Sequence, residues 1–307
     1  MLDTIADRLV VPGYSRLGYR LRRGSWTDPA PDALRGARAV VTGAGSGIGQ
    51  ATALGLAQLG ADVVLVVRDE RKGEAARAEI TAAVPGATVE VRLCDLSDLD
   101  SVRRFAAEID RLDVLVHNAG VLPEKRIETG AGHELTFATH VLGPLLLTDL
   151  LRAKLAAAPD PRVVFVSSGG MYTQRLRADD PEYREGTYKG ATAYARTKRM
   201  QVVLVPLLTE RYAQDGIKVH GMHPGWADTP GVAGSLPGFH RLTRAFLRTP
   251  EEGADTVVWL AATNPAPGRF WHDRRERPTH VLPTTGEKPE DVVAFWQYCT
   301  SAAGILP

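Results

Sequence analysis

Short runs rich in Val, Ile and Leu alternate with longer segments rich in Ala, Leu, Arg and Glu from residue 38 onward. Because the runs lack alternating polar residues, they are typical of strands buried on both faces of a sheet. The predicted strands cover residues 39–42, 63–67, 88–93, 114–117, 163–167 and 217–222. The segments between the first four strands predict helices at 50–59, 72–83 and 101–109.

Strands and helices that alternate in this order predict parallel pairing with crossover helices. The expected fold class is α/β, with a doubly wound parallel sheet of the Rossmann type. We expect one domain over residues 37–307, including a C-terminal extension with a helix at 288–302, and an N-terminal arm over residues 1–36. Two irregular stretches, 169–193 and 224–250, follow predicted strands, at the edge where open α/β sheets bind ligands.

Charge and cysteine content exclude several classes of protein. The chain carries 37 basic and 36 acidic side chains, a formal charge of +1, which argues against a nucleic-acid partner. Cys94 and Cys299 suggest neither a disulfide framework nor a metal site, and a reducing compartment is the simpler interpretation. The start carries Asp3, Asp7 and Arg8 instead of a secretory signal, and no apolar run reaches the ~20 residues of a membrane span. We therefore expect a cytoplasmic protein.

The N-terminal arm has two interpretations. Its residues 8–23 combine leucines and a tyrosine with several arginines, a composition found in interfacial membrane helices. Pro12 and Gly13 interrupt that pattern. The arm is therefore expected either to make peripheral membrane contact or to pack on the surface of the domain.

A glycine-rich turn directly follows the first predicted strand and opens the first helix. Its glycines permit a tight turn and let the backbone approach a pyrophosphate, which the N-terminus of a helix attracts. This strand–turn–helix context is what a dinucleotide site requires. The residues expected to hold the cofactor here are Gly43, Ser46, Gly47, Ile48 and Gly49.

The TGxxxGxG spacing of this turn resembles the form found in short-chain dehydrogenases/reductases. Two further segments are similar to that family and imply cofactor contacts. Asp95, with Leu96 beside it, matches an aspartate that contacts adenine, although a helix-capping role explains Asp95 equally well. Asn118, Ala119 and Gly120 match the family's NAG motif, which supports the central strands and the cofactor.

The residues after the second strand bear on the choice of cofactor. NAD-preferring members of the family carry an acidic residue at the position of Val67, which offers no hydrogen bond. Arg68 can bind the 2′-phosphate of NADP with two parallel hydrogen bonds, and Ser46 can add a hydroxyl. Asp69 argues the other way, because it could repel phosphate or pair with Arg68. We expect NADP(H), with NAD(H) less favoured; the alternative for Arg68 is a solvated surface arginine.

Tyr194 and Lys198 are four residues apart in a predicted helix and share one of its faces. A phenol with a pKa near ~10 is a poor acid/base at neutral pH, and a nearby ammonium lowers that pKa. The resemblance makes Tyr194 the catalytic acid/base and Lys198 the residue that tunes it and holds the nicotinamide ribose. It also implies that Ser168, rather than Ser167 on the opposite strand face, orients the substrate oxygen and donates to it.

His140 departs from the family pattern, which has an asparagine at this position in a proton relay from the lysine. A neutral imidazole has one donor and one acceptor and could replace that asparagine. The alternative is a buried histidine that only caps a break in the helix. We therefore name His140 as a fourth candidate catalytic residue.

Residues 223–229 are similar to the family's PGxxxT segment, which contacts the nicotinamide and the phosphates. This resemblance implies cofactor contacts for Pro224, Gly225, Trp226 and Thr229. His220 and His223 lack a third ligand nearby in the sequence, so we predict no metal site.

The resemblance covers nearly the whole chain and is closest to the retinol-dehydrogenase-like branch, in particular to the dehydrogenase/reductase member twelve subgroup. It implies reversible hydride transfer between NADP(H) and an apolar alcohol or carbonyl compound. The alternative is a catalytically silent NADP(H)-binding regulatory protein. Aromatic and apolar residues expected in the loops over the active edge either line a hydrophobic pocket or pack the loops on the core. Family members often pair through the helices that bear His140 and Tyr194, which implies a homo-oligomer.

Overall fold

The computed structural model describes residues 13–228, 243 and 246–306. Within these residues, eight strands form one sheet in the order β3-β2-β1-β4-β5-β6-β7-β8. The strands are β1 (Arg38–Thr42), β2 (Asp62–Val67), β3 (Val89–Leu93), β4 (Val114–His117), β5 (Arg162–Val166), β6 (Lys218–Met222), β7 (Phe270–His272) and β8 (Arg275–Glu276). Neighbours from β3 to β7 are parallel, and β8 is antiparallel to β7.

Helices join the parallel strands and extend beyond them at both ends of the described chain. They are α1 (Arg16–Arg23), α2 (Gly47–Gln58), α3 (Glu70–Ala83), α4 (Leu99–Glu108), α5 (Leu135–Phe137), α6 (Gly143–Leu150), α7 (Arg152–Ala156), α8 (Gly190–Arg211), α9 (Pro250–Ala262) and α10 (Pro289–Ala303). A π-helical segment, Ala138–Leu142, joins α5 to α6.

The sheet is buried on both faces because successive residues of its strands enter different cores. Val40 and Leu115 pack into one core with Phe165, whereas Val41 and Leu65 pack into the other. All five side chains are fully buried. This arrangement confirms the predicted doubly wound parallel sheet, and each of the six predicted strands ends within one residue of its observed bounds.

The order of the strands creates a crevice at the carboxyl edge of the sheet. From β1 the chain turns to β2 and β3 on one side, and it then crosses back to β4 on the other side. Loops after β1 and β4 therefore diverge to opposite faces, which leaves room for a ligand between them. The glycine-rich turn follows β1 and residues 118–120 follow β4, so the two segments meet at this point.

The C-terminal extension ends in α10, which confirms the helix predicted at 288–302. This helix packs against the π-helical segment and α6, and it buries Phe295 and Cys299 completely. Arg211, at the end of α8, lies over the ring of Trp296 at 5.7 Å. Pairing of two chains through these helices therefore requires a surface that α10 leaves open, and the homo-oligomer stays a prediction.

The described part of the N-terminal arm packs on the domain through α1 and residues 13–15. Tyr14 and Arg22 are buried, whereas Leu17 and Leu21 are 56% and 73% exposed. The packed interpretation of the arm is thus supported, and membrane contact through its outer face stays a prediction. In the part of the chain that the structure describes, no helix has the length and apolar character needed to span a bilayer.

Candidate active site

The glycine-rich turn is held in place by the segment that follows β4. The side-chain amide of Asn118 donates to the carbonyl of Thr42 at 2.9 Å, and the backbone N–H of Ala119 donates to the Thr42 hydroxyl at 3.1 Å. Gly43 has a φ of +67°, and a Cβ at Gly49 would lie 2.3 Å from the Gly43 carbonyl oxygen. Only glycine fits at these two positions, because the turn is folded tightly against itself.

The N-terminus of α2 opens at the crevice directly after this turn. Ser46 is its N-cap residue, yet among the described residues no side chain caps this terminus, and its first turn holds no acidic residue. The first N–H groups of a helix lack partners within the helix and carry partial positive charge. Together with Gly47, Ile48 and the Ser46 hydroxyl, these groups suit a pyrophosphate, so the residues present fit a dinucleotide.

Arg68 is exposed and follows β2 directly, beside the same edge. It lines a shallow depression with Asp95, Ser101 and Arg104. Asp69 caps α3 by accepting from the Lys72 N–H at 3.2 Å, so its carboxylate is directed to its own helix. Because its carboxylate is engaged in this cap, Asp69 opposes phosphate binding at Arg68 less than the sequence suggests.

Asp95 holds a turn rather than the start of a helix. Its Oδ1 accepts from the N–H and the hydroxyl of Ser97 at 2.9 Å and 2.7 Å. The cap of α4 is Asp98, which accepts from the Asp100 N–H at 3.0 Å. Asp95 and the buried Leu96 therefore lie at the carboxyl edge beside Arg68, where the resemblance expects the adenine.

Ser167 and Ser168 point in different directions at the end of β5. The Ser167 hydroxyl is buried and donates to the backbone carbonyl of Lys198 at 2.8 Å. The Ser168 hydroxyl lies beside the phenol of Tyr194 and acts to lower its pKa. The serine that meets the candidate acid/base is therefore Ser168, and Ser167 fixes the strand to α8.

Tyr194 and Lys198 lie one turn apart on α8, and the Lys198 Nζ is 5.5 Å from the centroid of the Tyr194 ring. Burial raises the pKa of Tyr194, while the Ser168 hydroxyl acts in the opposite direction. Burial also lowers the pKa of Lys198 to about 7. This differs from the expectation that Lys198 lowers the pKa of the phenol, because burial disfavours the phenolate and the ammonium alike.

Gln201 is a site residue that no sequence motif indicates, although it lies one helical turn beyond Lys198. The ammonium of Lys198 donates to the Val166 carbonyl at 2.7 Å and to Oε1 of Gln201 at 3.1 Å. The amide of Gln201 in turn donates to the backbone carbonyl of His140 at 2.9 Å. An ammonium has three N–H donors, so two are fixed by the protein and one remains for the site.

His140 lies in the π-helical segment, and both nitrogens of its ring have partners. Nε2 accepts from the Val121 N–H at 2.9 Å, so Nδ1 carries the proton and donates to Thr197 Oγ1 at 2.8 Å. Burial and the charge of Lys198 hold the pKa of His140 well below its usual range. The ring therefore supports the loop after β4 and the start of α8, which favours the structural interpretation of His140. Its backbone carbonyl, through Gln201, is the part that reaches Lys198.

The loop of residues 224–226, called the 224–226 loop below, follows β6 at the same edge. Gly225 has a φ of +76°. A Cβ at Gly253 would lie 3.5 Å from Pro224 and 3.4 Å from Ile48, so the loop lies next to the start of α2. Thr229 lies outside the described residues. No group of three His, Cys, Asp or Glu side chains that could hold a metal ion occurs among the described residues.

Of the two alternatives for the aromatic and apolar loop residues, most of those in the described residues pack on the core rather than line a pocket. Met171 and Tyr172 are buried in a small cluster with Phe270, and the Tyr172 hydroxyl donates to the Pro278 carbonyl at 2.9 Å. Trp271 is buried on another face of the sheet, beside Trp259. Trp226 remains partly exposed at the active edge. Hydrophobic residues at loop positions are a weak signal, because packing and ligand contact use the same side chains.

Comparison with known proteins decides the family. The family model described as short chain dehydrogenase matches residues 37–237. The chain belongs to the short-chain dehydrogenase/reductase family. It is 42% identical over 292 residues to bovine dehydrogenase/reductase SDR family member 12, covering 91% of this chain and 90% of that protein. It is 36% identical to mouse retinol dehydrogenase 11, covering 75% and 74% of the two chains. These relatives confirm the retinol-dehydrogenase-like branch and support an oxidoreductase.

A solved structure shows the same architecture. The 3-oxoacyl-(acyl-carrier-protein) reductase from Agrobacterium tumefaciens, crystallised with NADP bound, superimposes with a TM-score of 0.60 at 26% identity. The match covers 75% of this chain and 89% of that chain. The short-chain dehydrogenase/reductase fold is therefore shared, and a nicotinamide cofactor fits the crevice described above.

Proposed function

We propose that the protein is an NADP(H)-dependent oxidoreductase that transfers a hydride between the nicotinamide and an apolar alcohol or carbonyl compound. The observation that carries this proposal is the meeting of Ser168, Tyr194 and Lys198 at the carboxyl edge of the sheet, beside an uncapped helix N-terminus. A phenol and a hydroxyl placed side by side can both donate to a single substrate oxygen.

A bound nicotinamide supplies the hydride in reduction and accepts it in oxidation. In reduction, the carbonyl oxygen gains negative charge as its carbon accepts the hydride, and the phenol of Tyr194 donates the proton that completes the alcohol. Ser168 donates a hydrogen bond to the same oxygen and holds it in place. Lys198 in its ammonium form favours the resulting phenolate, and its remaining N–H is free to hold a ribose hydroxyl.

Three observations support NADP(H) over NAD(H). Val67 is apolar and buried at the position where an acidic side chain would bind a ribose diol. Arg68 is exposed next to it, and Asp69 is occupied with the cap of α3. The Agrobacterium reductase with the same fold was crystallised with NADP.

The apolar substrate class rests on the relatives and on the edge of the site. Relatives in this branch are named retinol dehydrogenases, and retinol is an apolar alcohol. Trp226 contributes partly exposed aromatic surface to the same edge as Ser168 and Tyr194. We therefore propose a long apolar alcohol or its carbonyl counterpart, which a hydrophobic surface binds by excluding water.

The test is NADPH oxidation by the purified protein with a panel of apolar aldehydes and ketones, with NADH measured alongside. Tyr194→Phe should lower kcat by about 10²- to 10⁴-fold and leave the Kd for NADPH unchanged, because only the proton donor is lost. Tyr212→Phe is a matched control, since Tyr212 is a buried tyrosine just beyond the same helix and its hydroxyl contacts Asp149. Saturable NADPH binding without turnover across the panel would favour the silent regulatory protein instead.

A cytoplasmic location, a homo-oligomer and peripheral membrane contact of the arm are further predictions from the sequence. Light scattering of the purified protein measures whether it forms a homo-oligomer. Co-sedimentation with vesicles of anionic lipid measures membrane contact. Leu17→Ser with Leu21→Ser should abolish sedimentation if the outer face of α1 carries that contact, since both leucines are exposed there.

A further inference from the structure

The N-terminal arm forms backbone contacts with the 224–226 loop. The N–H of Trp226 donates to the carbonyl of Tyr14 at 2.8 Å. A Cβ at Gly225 would lie 2.7 Å from that carbonyl oxygen, so the close approach of the arm requires glycine. The arm lies before the region matched by the family model, which begins at residue 37. A segment outside the matched core therefore shapes a loop of the candidate cofactor site.

A buried group of charges, formed by Arg22, Arg248 and Asp273, fixes the arm in this position. Arg22 Nη1 lies 2.5 Å from Asp273 Oδ2, and Arg248 contacts the two oxygens of Asp273 at 2.6 Å and 2.9 Å. Burial alone would raise the pKa of Asp273, but the charges of His272, Arg248 and Arg22 outweigh it and hold that pKa well below its usual range. The carboxylate is therefore ionised, and the group holds two cations against one anion.

Arg248 connects this charged group to both the arm and the loop. Its guanidinium donates to the carbonyls of Gly13 and Pro224, each at 3.2 Å. Its backbone N–H donates to the carbonyl of Trp226 at 2.7 Å. The 224–226 loop is thus hydrogen-bonded at both ends to a residue whose own position depends on Asp273 and, through Asp273, on Arg22.

The arm also reaches the segment that carries the candidate catalytic serine. A Cβ at Gly169, the residue after Ser168, would lie 3.1 Å from Cε2 of Tyr14. The ring of Tyr14 meets the rings of His223 and Trp226 edge-on, at centroid distances of 4.7 Å and 6.4 Å. Tyr14 therefore packs between the loop after β5 and the loop after β6, the two segments that border the reaction centre.

We propose that Tyr14 and Arg22 are positioning residues of the cofactor site, which hold the 224–226 loop in the conformation that receives the nicotinamide half of the cofactor. This inference rests on the proposed function. The arm would then act on the site through the loop. Among the hydrogen bonds and ring contacts of the described residues, the arm contacts neither Tyr194 nor Lys198.

The position of the arm determines which half of the cofactor it affects. The adenosine half is expected near Arg68, Asp95 and the start of α2, on the β2 and β3 side of the crevice. The 224–226 loop follows β6, which lies on the other side of β4 and β5. Loss of the arm contacts should therefore weaken binding of the whole dinucleotide and leave binding of its adenosine half unchanged.

The experiment replaces Arg22 by Met in the full-length protein and compares two ligands, NADPH and adenosine 2′,5′-bisphosphate. NADH and ADP take their place if the unchanged protein prefers NADH. Arg22→Met should raise the Kd for the dinucleotide on the order of tenfold, because small displacements of a binding loop are costly. The Kd for the adenosine ligand should stay within twofold, roughly the scatter expected for a remote change.

Arg23→Met is the matched control, since Arg23 is the neighbouring arginine of α1 and makes an exposed pair with Asp28 at 2.7 Å. It should leave both Kd values unchanged. Arg22→Lys keeps the charge and should restore part of the dinucleotide affinity, which also provides a readout if the Met variant is poorly folded.

Each other outcome contradicts the inference. Equal loss of affinity for both ligands would show that the arm only stabilises the fold, and unchanged affinity for both would show that the loop keeps its conformation without the arm. An unchanged protein that binds neither dinucleotide would contradict the proposed function itself, and that result is distinct from the other two.

Discussion

Gln201 lies between Lys198 and the helix break at His140, and its amide joins the two. It accepts from the ammonium of Lys198 at 3.1 Å and donates to the His140 carbonyl at 2.9 Å. A neutral acceptor at this place holds the lysine without adding a negative charge to the site. Gln201 is completely buried, so its amide has no competing contact with water.

Two changes at Gln201 should move the pH dependence of kcat/KM in opposite directions. Gln201→Glu places a carboxylate beside the ammonium and raises the pKa of Lys198, which moves its limb of the profile to higher pH. Gln201→Leu removes the acceptor, lowers that pKa further and moves the limb to lower pH. The measurement is kcat/KM between pH 5 and 10. We also expect a roughly tenfold loss of kcat in the Leu variant, because the lysine loses a hydrogen-bond partner. Identical profiles for both variants and the unchanged enzyme would remove Gln201 from the site.

Lys198 should make the stability of the protein depend on pH in a defined window. Its pKa in the folded protein is about 7, below the ~10.4 of an exposed lysine. Between these two values the unfolded chain binds more protons, so the free energy of unfolding rises with pH, by at most about 1.4 kcal/mol per pH unit. Below the window Lys198 is protonated in both states and contributes no slope.

Denaturant unfolding of the wild type and of Lys198→Met, measured at several pH values, isolates this effect. The difference in unfolding free energy between the two proteins should rise from pH 7 to pH 10 in favour of the wild type, because the other titrating groups are common to both. A difference that is flat across this range, or that falls, would show that Lys198 is not held with a lowered pKa.

Arg68 should determine the preference between the two nicotinamide cofactors. Arg68→Ala should raise the KM for NADPH by roughly tenfold to a hundredfold, the effect of losing charge-assisted bonds to a phosphate. The KM for NADH should change little, since NADH lacks that phosphate. Arg71→Ala is the control, because Arg71 is an exposed arginine in the first turn of α3. Similar changes for both cofactors would assign Arg68 a role other than phosphate binding.

Gly49 should tolerate no side chain. Gly49→Ala would place a Cβ 2.3 Å from the Gly43 carbonyl and 2.4 Å from the Asn118 amide nitrogen, so the turn would have to open. We expect destabilisation on the order of 2–3 kcal/mol and loss of cofactor binding. Gly24→Ala is the control, since Gly24 has no atom within 4 Å of its Cβ position. Thermal unfolding with and without NADPH measures both effects.

The sequence predicted the sheet well because its strands are buried on both faces. A continuous apolar run such as that of β2 is typical of a strand covered on both faces of a sheet. Its residues alone therefore indicate this burial, without knowledge of distant contacts. Helices α3 and α4 begin two residues earlier than predicted, because the polar caps Asp69 and Asp98 precede their apolar pattern.

The candidate site was predictable where chemistry and spacing are local. Tyr194 and Lys198 share a helix face, and Ser168 is separated from Ser167 by strand alternation. The roles of His140 and Gln201 depend on contacts such as that of the His140 ring with the Val121 N–H, which only packing reveals. Asp273, the acidic partner of Arg22, lies 251 positions away, so no pattern around Arg22 could predict this pair.

The bond between Arg22 and Asp273 spans 251 positions of the chain, and this separation has a consequence for biosynthesis. The arm is made before the sheet, yet its partner Asp273 leaves the ribosome only after nearly every strand of the sheet has been synthesised. Contacts between segments far apart in the chain can form only after both segments have been synthesised. Strands β1 to β6 and the glycine-rich turn can therefore form early, whereas the 224–226 loop is fixed only when Arg22 meets Asp273. A ribosome-stalled chain that ends before Asp273 should thus hold a folded nucleotide half and an unfinished reaction centre.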